Sequence, residues 1–306
     1  MAFLLFQKIA SLFLCIAAGF TLVKLRLLKS EDSKVLTMLS LYLIVPAVII
    51  QAFQIDLTRE ILTGFLFACA LGLAAHIALI LLTRLLCKPL GLNNIERASL
   101  IYTNAGNLNI PLIIALLGNE WVIFASTYIC IQTIFIWTHG VSLISGQSIL
   151  NWKKILRNVN VISIFIGLVL MMTGLRLPGI IATAVDSLAS TVGPVSMLMI
   201  GMVMAGVDLR KTFGRARVFF LAFLRLIGLP LLVMLLIKPL HLEMLVPNGN
   251  TILYIIMLAV CAPSGVMVTQ LAQVYGARPE EAASINIVTT LLCIASMPVM
   301  TWIFYL

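Results

Sequence analysis

Charge is scarce in this chain. Only 10% of its 306 residues are charged, and 20 Lys and Arg outnumber 11 Asp and Glu. Soluble chains carry about a quarter charged residues, so a soluble enzyme and a disordered chain are both excluded. Histidine is scarce and dispersed, at His76, His139 and His241. Neither a metal cluster nor a nucleophile with its base is in sight, so an enzyme is not expected. The six cysteines (Cys15, Cys69, Cys87, Cys130, Cys261, Cys293) lack CxxC spacing and read as small packing residues. A phosphate-binding Walker loop is also missing. No cofactor or metal is expected, and no nucleic-acid partner, because basic residues in so apolar a chain belong to cytoplasmic loops.

What is present is apolar sequence. Hydrophobic residues make up 62% of the chain and the mean hydropathy is +1.14, enough for about ten spans of ~20 residues. Uninterrupted apolar windows without alternation exclude an outer-membrane barrel. The fold class is therefore an all-α polytopic protein of the lipid bilayer with ten transmembrane helices. They are predicted near 3–23, 35–53, 61–84, 98–118, 121–144, 159–175, 186–206, 218–237, 251–273 and 282–304.

The connecting loops sort the charge. Odd-numbered loops hold fifteen Lys and Arg, among them Lys24, Arg84, Lys153, Arg157 and Arg217; even-numbered loops hold Arg59, Arg176 and Lys238. That bias places the odd loops in the cytoplasm and both termini outside an inner (plasma) membrane. Residues 1–23 read as a first span and not as a signal peptide, because the basic cluster follows the apolar run.

Ten spans with both termini on one side divide into two five-helix halves of opposite orientation. The halves are 1–145 and 159–306, with a short cytoplasmic connection at 146–158. Internal matches support the division. Ile55-Asp56-Leu57-Thr58-Arg59 after the second span matches Val207-Asp208-Leu209-Arg210-Lys211 after the seventh, and Pro111 in the fourth matches Pro263 in the ninth.

Two spans carry breaks. The fourth reads Asn104-Ala105-Gly106-Asn107-Leu108-Asn109-Ile110-Pro111, and the ninth Cys261-Ala262-Pro263-Ser264-Gly265, followed by Thr269 and Gln270. Proline removes a donor and glycine weakens a helix, so both segments are expected to unwind. Open backbone at that depth is tolerated only where protein buries it or a polar cavity adjoins it. Two such breaks crossing would aim helix N-termini at one small volume, which suits an anion. The candidate site is Asn104, Gly106, Asn107, Asn109, Pro111, Pro263, Ser264 and Gly265. Asn286 of the tenth span is the favoured flanking residue, with Ser126, Gln132, Thr133, Ser284, Thr289 and Thr290 as others.

The 104–111 run resembles the signature of the auxin efflux carrier family. The Ala-Pro-Ser-Gly break and the Val-Asp-Leu-Arg after the seventh span are similar to that family as well. The resemblance implies the fold of plant auxin exporters and sodium–bile-acid symporters. It also implies crossing helices in a mobile transport domain and a scaffold of the first, second, sixth and seventh spans. The long central loop of the plant exporters is absent, so the chain resembles the compact bacterial branch, associated with malate, malonate or similar carboxylates.

The expected function is a secondary or facilitative transporter of a small organic anion by alternating access; a membrane-embedded ligand sensor or a channel is the alternative. His76 and His139 are the candidates for proton coupling, with packing as their competing role, and H+ or Na+ coupling stays open. A homodimer is also left open. Glu120 and Asp186 are expected at helix ends. Lys8 and Arg225 are expected to snorkel to the membrane surface, leaving the anion to helix ends and amides instead of a buried Arg or Lys.

Overall fold

The computed structural model describes residues 14–147, 152–206 and 214–306. Lys8, the first part of the first span and the Val207–Lys211 half of the internal match lie outside the described residues. The described chain is helical: α1 (Leu14–Lys24), α2 (Ser30–Ala52), α3 (Arg59–Leu90), α4 (Asn94–Ile101), α5 (Ala105–Leu116), α6 (Asn119–Ser145), α7 (Trp152–Leu156), α8 (Val159–Thr173), α9 (Gly179–Ala205), α10 (Ala216–Leu240), α11 (Gly249–Cys261), α12 (Val266–Val274) and α13 (Pro279–Phe304). Six of these, α2, α3, α6, α9, α10 and α13, are long and apolar enough to cross a membrane; α1, α5, α8 and α11 are shorter apolar helices. Among the described residues the only strand-like pairing is one bridge between Thr103 and Ser264.

Local chemistry sets the helix ends. Thr58 caps α3, accepting a hydrogen bond from the Ile61 amide at 3.1 Å. Asn93 and Glu96 form a capping box on α4, and Gly91 and Gly174 end α3 and α8 in the left-handed conformation. Two boundaries differ most from the sequence reading: α3 runs on to Leu90 instead of 84, so Arg84 and Lys88 lie inside it. α9 begins at Gly179 rather than 186, so Asp186 lies inside a helix, where its carboxylate accepts from Gln51 Nε2 at 2.7 Å.

Among the described residues four helices contain a widened turn with i→i+5 spacing: Ser40–Ile44, Ala105–Asn109, Ile136–Gly140 and Leu224–Gly228. Three of them are followed, after one intervening residue, by a proline, at Pro46, Pro111 and Pro230. Proline has no amide to donate and crowds the carbonyl four residues before it; widening the preceding turn relieves both effects without ending the helix.

Packing separates two groups of helices. In one, α2 packs along α8 and α9, and α1 meets α9 so closely that a Cβ on Gly201 would stand 2.0 Å from the Ile16 carbonyl. In membrane helices small residues at such contacts let backbones approach. The other group joins α3, α4, α6, α10, α11, α12 and α13. At the odd-loop face it is tied by Arg217, which grips the buried Glu96 through two bonds of 2.7 and 2.8 Å, while Asn93 reaches Glu281 at 2.9 Å.

Candidate functional site

The two breaks meet. α4 ends at Ile101 and α11 at Cys261, and each chain then runs extended for a few residues before helix resumes. The extended pieces lie antiparallel: the Asn104 amide donates to the Pro263 carbonyl at 2.8 Å, and the Gly265 amide donates to the Tyr102 carbonyl at 2.9 Å. A Cβ on Gly265 would be 2.9 Å from the Thr103 carbonyl oxygen, so the close approach needs glycine there.

Side chains take up the backbone groups the two strands leave over. Gln132 of α6 saturates Thr103: its Oε1 accepts from the Thr103 amide and hydroxyl, and its Nε2 donates to the Thr103 carbonyl, each at 2.9 Å. On the other strand, the Ser264 amide donates to Thr289 Oγ1 at 3.1 Å, and Asn286 Nδ2 donates to the Ser264 carbonyl at 2.5 Å. Tyr102 anchors the first strand from below, donating its hydroxyl to the Phe135 carbonyl at 3.0 Å and meeting His139 Nδ1 at 2.8 Å.

Two small cavities flank the start of α12. One, of about 80 Å³, is bordered by Asn104, Gly106, Asn107, Asn160, Gly265 and Gln270, among others. The second, of about 60 Å³, is bordered by Thr269, Asn286 and Thr290 within an otherwise largely apolar wall. Val266, the first residue of α12, and Thr37 of α2 border both. Neither α5 nor α12 has a side-chain cap, so their first amides face the crossing without one, as at an anion-binding helix start. Next to the first cavity opens a vestibule of about 700 Å³ that shares Thr133, Asn160 and Gln270 with it and carries Lys153 and Arg157 at its edge.

A model of the membrane transport protein family matches residues 4–151 and 147–301, essentially the whole chain. The chain belongs to that family. It is the auxin efflux carrier-like group that the 104–111 run resembles. No curated protein matches the chain.

In this family member the expected residues separate by position. Asn104, Gly106, Asn107 and Gly265 border the first cavity and Asn286 the second. Pro263 and Ser264 build the crossing itself. Asn109 is buried and borders neither cavity, and Pro111 lies inside α5. The first break therefore falls at 102–104, ahead of the glycine and proline expected to cause it. Ser126 and Ser284 bond to carbonyls of their own helices at 2.7 and 2.8 Å and border neither cavity. His76 and His139 do not border them either. Three residues were missed. Asn160 lies in the first turn of α8, two residues after its cap Asn158, and carries no local signal of a site. Thr37 and Thr103 are hydroxyls whose role only the crossing reveals.

Arg225 overturns an expectation. Instead of snorkelling, it is fully buried, 0% exposed, in the widened turn of α10.

Proposed function

We propose that this membrane transport family member is a secondary transporter of a small organic anion, a mono- or dicarboxylate of the malate or malonate kind. The carrying observation is the crossing: two antiparallel broken segments share backbone hydrogen bonds beside an amide-lined cavity that adjoins a wide vestibule. Uncapped starts of α5 and α12 supply amides and positive dipole ends for a carboxylate, and Asn104 and Asn107 supply side-chain amides that orient it.

On this reading the chain spans an inner membrane ten times in two inverted halves, α4–α5 and α11–α12 each forming one broken span. The antiparallel bridge and the division of the family match near residue 150 support the inversion. The vestibule lies on the side of the odd-numbered, basic loops, which the charge bias puts in the cytoplasm. The structure then corresponds to an inward-facing state. Alternating access would carry the crossing group of helices past the α1, α2, α8 and α9 group.

Uptake of radiolabelled mono- and dicarboxylates into proteoliposomes, with pH and sodium gradients imposed separately, tests the proposal. Saturable uptake of a carboxylate is expected. Asn107→Leu, which also removes the acceptor of the Ser40 hydroxyl at 3.2 Å, is expected to lower it at least about a hundredfold while leaving the protein monodisperse. Unchanged saturable uptake by that variant would sink the site, and single-channel conductance without saturation would favour a channel.

A further inference from the structure

Arg225 is the largest fully buried side chain among the described residues, and its Nε and both terminal nitrogens lack a hydrogen-bond partner. α10 packs against α4, α11 and α13, yet none of its residues borders either cavity, so the guanidinium stands behind the crossing. α4 and α11 both end close by, at Ile101 and Cys261, each presenting the negative end of a helix. Cys261, Tyr128 and His76 are the groups within electrostatic reach of Arg225.

Two more buried polar groups on that side stand without partners. His76 Nδ1 is 2.8 Å from the Gly72 carbonyl, which only accepts, so Nδ1 carries the proton and Nε2 is a bare acceptor. Nε2 and the Tyr128 hydroxyl both lack partners, and the two rings are 4.4 Å apart between centroids. Neither group supplies a counter-charge, and among the described residues no carboxylate pairs with Arg225. A buried charge without a counter-charge is strongly unfavourable in an apolar surrounding.

We propose that Arg225 is the specificity-determining cation of the transport site, a fixed positive charge behind the crossing whose missing counter-charge is the bound ligand. This deepens the transporter reading and rests on it. Arg225 does not touch the ligand. It acts through the low-dielectric interior, where charges interact over longer distances than in water, and makes a negative ligand the only one whose entry cancels a buried charge. A neutral isostere gains the amide contacts but not this cancellation.

Calorimetric titration of the full chain in nanodiscs with malonate, its monoamide and its uncharged diamide tests the proposal. Wild type is expected to bind malonate at least about tenfold more tightly than the diamide, with the monoamide between them. Arg225→Met keeps the aliphatic stem and is expected to bring malonate down to the affinity of the diamide, whereas Arg225→Lys keeps the discrimination. Arg225→Met discriminating like wild type would overturn the role of Arg225 and leave the transporter reading standing. Wild type binding neither malonate nor any carboxylate of the uptake panel would overturn both. Should Arg225→Met not fold, the other two proteins decide: equal affinity of wild type for malonate and diamide, or loss of discrimination in Arg225→Lys, overturns the proposal.

Discussion

Gln132 shows how much one side chain can carry where backbone is opened inside an apolar protein. It satisfies the amide, carbonyl and hydroxyl of Thr103 together, and no neighbouring helix turn can replace it. Gln132→Leu leaves a buried amide and a buried carbonyl unpaired, and is expected to destabilise the protein by about 2–4 kcal/mol. Thermal unfolding in detergent, read by near-UV circular dichroism, would show it; an unchanged midpoint would mean the Thr103 groups find other partners. The sequence marked Gln132 only as one of several flanking polar residues, because amide side chains in apolar spans serve equally as glue between helices. Arg225 was misplaced for a related reason. Its distance along the chain from the end of α10 suits snorkelling, and only packing against α4, α11 and α13 decides otherwise.

The helices were legible as apolar windows, but their interruptions were legible only in part. Proline and glycine in the 104–111 run announced an unwound segment. Yet the widened turn at Ala105–Asn109 absorbs Pro111, and the extended stretch sits before it, where Tyr102 and Thr103 are held from α6. Local propensity thus located the irregularity, and partners distant in sequence chose its form. In α11–α12 nothing intervenes between Pro263 and the crossing, and the break falls where the sequence puts it. The contact between α1 and α9 was not legible, because glycine in a membrane span carries no label for the helix it faces. A Cβ on Gly201 or Gly19 would strike the opposing backbone, at 2.0 Å from the Ile16 carbonyl and 2.2 Å from the Leu198 carbonyl respectively. Gly201→Val is therefore expected to force the pair apart at a cost of about 1–3 kcal/mol. A lowered unfolding midpoint with malonate affinity retained is the expected result, since neither glycine borders a cavity; an unchanged midpoint would show that the helices separate freely.

For the whole molecule, the sorting of charge between loops carried most of the information that sequence could give. It set the orientation on which the vestibule acquires its meaning, and it did so without locating any vestibule. Lys153 on α7 and Arg157 just after its end counted in the sequence only as loop charges, but in the fold they are exposed at the rim of the route to the first cavity. Two cations there raise the local concentration of an anionic substrate, and they do so less as salt shortens the Debye length from about 30 Å at 0.01 M to about 8 Å at 0.15 M. Because neither residue borders the crossing cavity, their effect belongs to approach and not to the transport step. The double variant Lys153→Gln, Arg157→Gln is expected to raise the KM for carboxylate release from inside-loaded vesicles several-fold at low salt while leaving the maximal rate unchanged. At 0.15 M salt its KM should approach that of wild type, since screening removes from wild type what substitution removed from the variant. A KM that differs equally at both salt concentrations would mean that the two side chains contact the substrate directly, and a fall in maximal rate would place them in the conformational step.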